Sequence, residues 1–205
     1  MSAFSSIADA LECDWASKAR SEQLPPPGNW TTWLVLAGRG WGKTRCGAEW
    51  VRSLAEAASV ARIALVGPTA ADCRDTMVEG SSGLLAIAPN SNRPVYEPSK
   101  RRLTWSNGVQ AAMFSSEEPD RLRGPQHGAA WLDEMGAWQN LQSTWDMLQF
   151  GLRVGKRPRQ VITAEAAQAS QGASEARGRG HQTRPDDGQR REPCAVVSEP
   201  DCQPL

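Results

Sequence analysis

The sequence predicts a three-layer α/β fold, in which a mostly parallel sheet lies between two layers of helices. Three observations predict it. Short apolar runs typical of buried strands alternate with segments of helical periodicity between residues 33 and 163. A glycine-rich turn joins the first strand to the first helix, and an Asn-Gly pair marks a later hairpin. Right-handed crossovers between parallel strands would then place helices on both faces of the sheet.

Length and composition fit one soluble domain with an appendage. The chain has 205 residues, 40% of them hydrophobic, and its 23 Lys and Arg balance 23 Asp and Glu. A chain with no net charge does not attract nucleic acid through its overall electrostatic field, so a contact with nucleic acid requires a local basic patch. Five scattered cysteines argue against a disulfide framework or zinc site and fit a reducing compartment. Without a signal peptide or membrane-spanning run, we expect a cytoplasmic protein with no membrane partner.

The N-terminal region, residues 1–22, predicts an amphipathic helix with apolar residues three to four apart. They are Phe4, Ile7, Leu11 and Trp15. A proline-rich connector follows at residues 24–30, and Gln23 lies just before it. The side-chain amide of Gln23 could pair with the edge of an adenine base, which makes it a candidate nucleotide-binding residue. The equally weighted alternative is an exposed linker residue.

The most informative motif joins an apolar run, residues 33–37, to a glycine-rich turn that ends in Gly-Lys-Thr. Backbone N–H groups can surround a phosphate only where the chain adopts positive φ angles and has no Cβ in the way, which glycine permits. We therefore predict a P-loop that binds a nucleoside triphosphate. Its residues are Ala37, Gly38, Arg39, Gly40, Trp41, Gly42, Lys43 and Thr44, with Ala37 at a place where the strict motif has glycine.

Two side chains of this motif have predicted roles. Lys43 is expected to reach the β- and γ-phosphates of ATP. Thr44 is expected to bind Mg²⁺ through its hydroxyl, at a helix N-terminus whose dipole favours anions. The alternative is a glycine-rich turn between a strand and a helix, with Lys43 as a solvated surface residue.

The middle of the chain predicts further elements of the sheet. Residues 62–69 form a second buried strand that ends in Gly-Pro, and Thr69 is placed to cap the next helix. Residues 103–114 predict a hairpin about the Asn-Gly pair. The basic cluster before it, residues 100–102, is either a contact to a DNA backbone or a charged edge that prevents strand-to-strand aggregation.

A second motif places two carboxylates directly after an apolar run, residues 128–132. This order is typical of a buried strand that ends at an active site. Asp133 is predicted to hold Mg²⁺, and Glu134 to take a proton from the water that attacks the γ-phosphate. The alternative is a strand-to-helix turn in which Asp133 is a helix cap.

Two more elements and a change of composition complete the chain. Residues 138–152 predict a helix with one core face, formed by Trp138, Leu141, Trp145, Leu148 and Leu152. Residues 159–163 predict a last core strand. From Ala164 to Leu205 there is no Trp, Phe, Tyr, Ile or Met, so this segment cannot bury enough apolar surface to fold, and we expect disorder.

The two motifs and their flanks, residues 28–51 and 118–138, resemble the large subunit of tailed-phage terminases, in the branch found in prophages and gene-transfer-agent clusters. The resemblance covers residues 23–163. It implies an additional-strand P-loop ATPase that uses ATP and Mg²⁺ to drive double-stranded DNA into a capsid. It also implies a portal protein and a small terminase subunit as partners, and a homo-oligomeric ring. One of Arg39, Arg121 and Arg123 would stabilise the transferred phosphoryl group, in cis or from a neighbouring subunit.

The sequence departs from that family after Thr163. There the family continues into a Thr-rich coupling motif and a nuclease domain, whereas Ala164-Glu165-Ala166 follows here. We therefore expect an ATPase domain at residues 23–163, an out-of-frame tail without nuclease at residues 164–205, and impaired packaging. Two alternatives are a helicase-like nucleic-acid translocase and a catalytically silent nucleotide-binding remnant.

Overall fold

The computed structural model describes residues 14–165, which contain a single seven-stranded sheet. Its strands are β1 (Thr32–Ala37), β2 (Arg62–Gly67), β3 (Val95–Glu97), β4 (Arg102–Thr104), β5 (Gln110–Ser115), β6 (Ala129–Leu132) and β7 (Arg159–Glu165). Their order across the sheet is β1-β7-β6-β2-β5-β4-β3. The first five in that order are parallel, and β4 and β3 are antiparallel additions at one edge. The predicted mostly parallel sheet is confirmed.

Helices connect these strands. They are α1 (Trp15–Lys18), α2 (Lys43–Glu56), α3 (Ala70–Asp72), α4 (Leu84–Ile87) and α5 (Leu141–Gly151). The predicted cap of α3 is present, because the Thr69 hydroxyl accepts a hydrogen bond from the backbone N–H of Asp72 at 3.0 Å. Beyond it, α3 continues as a π-helix, Cys73–Val78. Between residues 14 and 165, no helix has both the length and the apolar character needed to cross a lipid bilayer.

Two hydrophobic clusters cover the two faces of the sheet. Ile63 and Leu65 of β2 belong to one cluster, and Ala64 and Val66 of the same strand belong to the other. Because successive side chains of a strand point to opposite faces, the clusters lie on opposite sides of the sheet. Helix α2 adds Cys46, Trp50 and Val51 to the first, and α5 adds Leu148 to the second. The predicted three layers are therefore confirmed.

Strand β7 lies between the strand that precedes the P-loop and the strand that precedes the carboxylates. It pairs in parallel with β1 on one side and with β6 on the other. The family resemblance implies an additional strand of this kind. The carboxyl ends of the three strands meet at one edge, where ligands of open α/β sheets bind.

The structure corrects two predicted boundaries. Within the described residues, the N-terminal helix covers only Trp15–Lys18, so the helix predicted for residues 1–22 ends earlier. Its predicted apolar positions before Cys13 lie outside the described residues. Strand β7 continues to Glu165, beyond the domain boundary predicted at Thr163, because its backbone stays paired with β1 up to Ala37. The rest of the predicted tail, residues 166–205, also lies outside the described residues.

The helix predicted for residues 138–152 begins later, at Leu141. A 3₁₀ turn, Met135–Ala137, comes first, and the indole N–H of Trp138 donates to the backbone oxygen of Asp133 at 3.0 Å. Trp138 is therefore buried as predicted, but it lies before the helix and is not part of it. Leu141, in the first turn, is 40% exposed, so its predicted core position is wrong. Leu148 is fully buried, and Trp145 and Leu152 pack against the same cluster.

The hairpin forms as predicted, and the basic cluster before it is neutralised. Lys100 and Arg102 both pair with Glu97, at 2.6 Å and 2.7 Å, and Arg101 pairs with Glu118 at 2.9 Å. These pairs favour the interpretation of a charged sheet edge over a contact to DNA. The edge strand β3 was not predicted, because a strand of three residues has no recognisable alternation.

His127, just before β6, makes the stability of the fold depend on pH. It is 2% exposed, and burial, followed by the charge of Arg62, lowers the pKa of its imidazole to about 4. Between pH 6.5 and about 4 the unfolded chain therefore binds a proton that the folded chain does not. The free energy of unfolding must fall as the pH falls through this window. At pH 5 the loss amounts to about 2 kcal/mol.

We expect His127→Phe to remove this loss while keeping the edge-to-face contact with Phe114, whose ring centroid is 5.4 Å away. Urea unfolding at pH 7 and pH 5 measures it. The wild-type chain should lose about 2 kcal/mol more than the variant over this interval. The raised pKa of Asp133, about 6, changes the free energy of unfolding in the opposite direction as the pH falls. This contribution is the same in the wild-type chain and in His127→Phe, so it cancels in the comparison. Equal losses would show that His127 titrates normally in the folded chain.

Candidate active site

The predicted P-loop connects β1 to α2, and two of its three glycines have left-handed backbone conformations. Gly40 has a φ of 73° and Gly42 a φ of 96°, whereas Gly38 has no positive φ. The positive φ predicted for the glycines of the loop is therefore confirmed at Gly40 and Gly42 and wrong at Gly38. Gly42 is the position under most constraint, because a Cβ there would lie 2.8 Å from Nε2 of Gln23.

Substitution of these two glycines should separate backbone strain from steric overlap. Gly40→Ala places an L-residue in the left-handed region, which costs about 1–2 kcal/mol of folding free energy, and its Cβ would have no neighbour within 4 Å. Gly42→Ala has the same strain and must also displace the Gln23 amide, at a further cost of about 1 kcal/mol. Chemical unfolding of both variants checks the difference. Equal losses would contradict the close approach of Gln23 to the loop.

Lys43, the first residue of α2, is 8% exposed. Its ammonium donates to the backbone oxygen of Ala37 at 2.9 Å and to that of Gly38 at 3.4 Å. The same Nζ lies 3.4 Å from Oε1 of Glu134. A buried ammonium requires such partners. The alternative in which Lys43 is a solvated surface residue is therefore wrong.

Asp133 follows β6 and is 3% exposed. One of its carboxylate oxygens accepts a hydrogen bond from the Thr163 hydroxyl of β7 at 2.6 Å. Burial raises the pKa of this carboxyl to about 6, although the Thr163 hydrogen bond and the charge of Lys43 act in the opposite direction. The alternative role of Asp133 as a helix cap is wrong, since its side chain binds Thr163 and the N-cap of the 3₁₀ turn that follows is Glu134.

Glu134 has a left-handed backbone, with a φ of 46°, which is uncommon for a residue with a side chain. Such strained positions concentrate at functional sites. The side chain is 34% exposed and points to Lys43. The two motifs predicted from the sequence therefore meet, although their strands are separated by β7.

A cleft of about 500 Å³ lies over the loop. Its lining residues are Gly38, Arg39, Gly40, Trp41, Gly42, Lys43, Thr44, Arg45, Asp75, Thr76, Gly80, Ser81, Ser82 and Glu134. The P-loop forms one wall, and residues 75–82, at the end of the π-helix and in the loop after it, form another. Sequence reasoning missed this second wall. The Gly-Ser-Ser-Gly run at residues 80–83 was the available signal, since binding residues are disproportionately found on surface loops.

A divalent cation fits this arrangement only when it is shared with a phosphate. Among residues 14–165, no group of three or more His, Cys, Asp or Glu could hold a metal ion. Mg²⁺ is usually bound by one or two carboxylates together with phosphate oxygens and water. Thr44 lines the cleft, whereas Asp133 is not among the described residues that line it and supplies a buried carboxylate directly before Glu134 in the chain. A buried anion of this kind is stabilised by a nearby cation, so both residues suit the metal.

The three candidate arginines have different positions. Arg39 lines the cleft; its side chain is 91% exposed and its Nε lies 3.4 Å from Oε1 of Glu165. Within residues 14–165, neither Arg121 nor Arg123 is among the residues that line this cleft. Arg123 lines a separate cavity of about 400 Å³ that includes Gly151. That cavity lies beside the start of β6, because Gly151 O accepts from the backbone N–H of His127 at 2.9 Å.

The distance between this second cavity and the carboxylates follows from the length of β6. Asp133 lies six positions after His127, which corresponds to roughly 20 Å of extended chain. Arg121 and Arg123 also form local pairs, with Glu118 at 3.5 Å and Asp120 at 3.3 Å. Of the three candidates, only Arg39 is therefore brought to the cleft by its own chain.

Gln23 is 8% exposed and lies against the loop, so the alternative of an exposed linker residue is wrong. Its Nε2 donates to the backbone oxygen of Trp41 at 2.8 Å, and its Oε1 accepts from the backbone N–H of Arg20 at 3.0 Å. Both polar atoms of the Gln23 amide therefore bind backbone groups of the protein. Its predicted contact with adenine stays a prediction.

Known proteins resemble this chain in sequence and in fold. Residues 34–171 match the family model of the terminase large subunit, T4likevirus-type, N-terminal. The structure is similar to the large terminase from a thermophilic bacteriophage, with a TM-score of 0.56 and 13% identity over 76% of this chain and 38% of that chain. For the same terminase in complex with ATP-gamma-S, the TM-score is 0.55 and the identity 13%, over 76% of this chain and 36% of that chain. For its complex with ADP, the TM-score is 0.54 and the identity 14%, over 76% of this chain and 37% of that chain.

At this identity the structural likeness shows the fold alone, and the chain spans 38% of the length of the first of these relatives. No curated protein sequence matches the chain. The family model, in contrast, covers well over half of it and continues past Thr163 to residue 171. The chain belongs to the family of T4likevirus-type terminase large subunits, whose N-terminal region it contains.

Proposed function

We propose that the chain is the ATPase motor domain of a phage terminase and hydrolyses ATP with Mg²⁺ in the cleft over the P-loop. One observation carries the proposal: the Lys43 ammonium lies 3.4 Å from the Glu134 carboxylate at the edge of the sheet where the P-loop begins. A cation for the phosphates and a base for water thus share one cleft. The related terminase of the thermophilic bacteriophage, which was solved with ATP-gamma-S and with ADP, supports this assignment.

Catalysis in such a site is positioning and electrostatic stabilisation. The backbone N–H groups of the loop and the Lys43 ammonium would surround the β- and γ-phosphates. For this, Lys43 must exchange the carbonyl oxygens of Ala37 and Gly38 for phosphate oxygens. Mg²⁺, held by the Thr44 hydroxyl and by Asp133 directly or through water, would neutralise part of the phosphate charge.

Glu134 would orient the attacking water and accept its proton. Its carboxylate is partly exposed to the cleft, whereas that of Asp133 is buried and bound to Thr163. The two neighbouring carboxylates therefore have separate roles, one toward water and one toward the cation. Arg39 would stabilise charge on the transferred phosphoryl group, because its exposed pair with Glu165 is weak and easily exchanged.

Arg121 and Arg123 would act only from a neighbouring subunit, given their distance from the cleft of their own chain. Family membership supports the wider assembly: double-stranded DNA as the track, a portal protein and a small terminase subunit as partners, and a ring of copies in the cytoplasm of the bacterial host. A helicase-like translocase would share the same two motifs.

Steady-state ATP hydrolysis by the purified chain tests the proposal. We expect Mg²⁺-dependent release of phosphate that linear duplex DNA stimulates, without unwinding of the duplex. Unwinding would favour a helicase-like translocase. Binding of ATP without turnover would identify a silent remnant and contradict the proposed activity.

A further inference from the structure

The segment that precedes the sheet holds the P-loop at one carbonyl group. Two side chains from different positions converge on the backbone oxygen of Trp41: Nη2 of Arg20 donates to it at 2.7 Å, and Nε2 of Gln23 donates at 2.8 Å. The two residues also bind each other, since Oε1 of Gln23 accepts from the backbone N–H of Arg20. The guanidinium of Arg20 lies over the Trp41 ring, 5.2 Å from its centroid.

The position of this carbonyl determines where the next amide points. In a trans peptide the C=O and the N–H point in opposite directions. When the oxygen of Trp41 is held toward Arg20 and Gln23, the N–H of Gly42 must point away from them. Gly42 has the left-handed φ of the loop and lies directly before Lys43. Its amide is thus one of those expected to surround a phosphate.

We propose that Arg20 and Gln23 are positioning residues that hold the Trp41–Gly42 peptide in the orientation that binds phosphate. This proposal rests on the proposed function of the cleft. It gives Gln23 a role toward the triphosphate rather than toward the base. A second attachment supports it: the guanidinium of Arg45, in α2, lies 5.4 Å from the ring centroid of Trp15, so the same segment is held against the helix that follows the loop.

Binding of three ligands distinguishes this role from recognition of adenine. We would titrate the full chain with Mg²⁺ and ATP, GTP or inorganic tripolyphosphate by calorimetry. Arg20→Ala and Gln23→Ala are each expected to raise Kd by about five- to tenfold for all three ligands. The ratio of ATP to GTP affinity should not change. In hydrolysis, KM should rise while kcat stays within about twofold. This pattern distinguishes weaker binding from misfolding, because a misfolded fraction would lower kcat without raising KM.

The matched control is Arg93→Ala, an exposed arginine just before β3, at the far edge of the sheet from β1. It should leave Kd unchanged for each ligand. Unchanged Kd in Arg20→Ala and Gln23→Ala would overturn the proposal. A loss of ATP affinity alone in Gln23→Ala, with tripolyphosphate unaffected, would also overturn it and assign Gln23 to the base.

A measurement without nucleotide keeps this test independent of the proposed function. If the wild-type chain binds none of the three ligands, the proposed function fails, but the loop can still be examined. Hydrogen exchange of a peptide that spans residues 38–45 should be faster in Arg20→Ala than in the wild-type chain, by about fivefold or more. Identical exchange would show that Arg20 does not hold the loop.

Discussion

Glu134→Gln is expected to lower kcat for ATP hydrolysis by about 10²- to 10⁴-fold, the usual contribution of a general base. Glutamine keeps the size of the side chain but cannot accept the proton of the attacking water. ATP binding should persist, because the Lys43 ammonium and the loop amides are unchanged. Single-turnover hydrolysis and calorimetric binding of ATP measure the two effects separately.

Glu56→Gln is the matched control for this substitution. Its side chain is 35% exposed, against 34% for Glu134, and its carboxylate also pairs with one cation, Arg52, at 2.7 Å. It lies at the opposite end of α2 from the loop. Its kcat should equal that of the wild-type chain. If Glu134→Gln retained full turnover, another group would have to be the base.

Lys43→Ala is expected to reduce kcat/KM by at least about 10²- to 10³-fold, the cost of removing one preorganised charge from a reacting centre. Unlike Glu134→Gln, this variant should also lose affinity for ATP, because the ammonium binds phosphate in both the ground state and the transition state. Calorimetry with Mg²⁺ and ATP measures the affinity. Thermal unfolding checks that the chain still folds without the bonds to Ala37 and Gly38.

Lys156→Ala is the control for Lys43→Ala. Lys156 is exposed in the loop that precedes β7, at the amino ends of the parallel strands, whereas the P-loop lies at their carboxyl ends. Its affinity for ATP should equal that of the wild-type chain. Equal affinity in Lys43→Ala would mean that the buried ammonium serves only to bind the carbonyl oxygens of the loop. The phosphate site would then lie elsewhere.

The features predicted correctly from the sequence are those set by neighbouring residues. The strand, loop and helix around Lys43 follow from an apolar run, glycines and helical periodicity. The cap at Thr69 and the hairpin at Asn107 and Gly108 also depend on local hydrogen bonds and backbone angles. Asp133 and Glu134 were identified as a pair because a buried strand ends there.

Features set by contacts between distant segments were not available from such patterns. The insertion of β7 between β1 and β6 depends on which strand edges pair, and it was expected only from the family resemblance. Gly38 was counted with its neighbours because composition does not show which glycine turns the chain. The distance of Arg123 from the cleft follows from the path of the chain back to the start of β6. The hydrogen bond from Gln23 to the loop could not be predicted from local patterns, because it spans 18 residues.

A crystal structure of the chain with Mg²⁺ and ATP-gamma-S would show whether the P-loop and the two carboxylates hold one nucleotide between them. We expect the γ-phosphate within hydrogen-bond distance of the Lys43 ammonium and the Gly42 N–H, with the Glu134 carboxylate facing it and the metal between Thr44 and Asp133. A nucleotide bound at another surface, with Lys43 still on the carbonyl oxygens of Ala37 and Gly38, would contradict it.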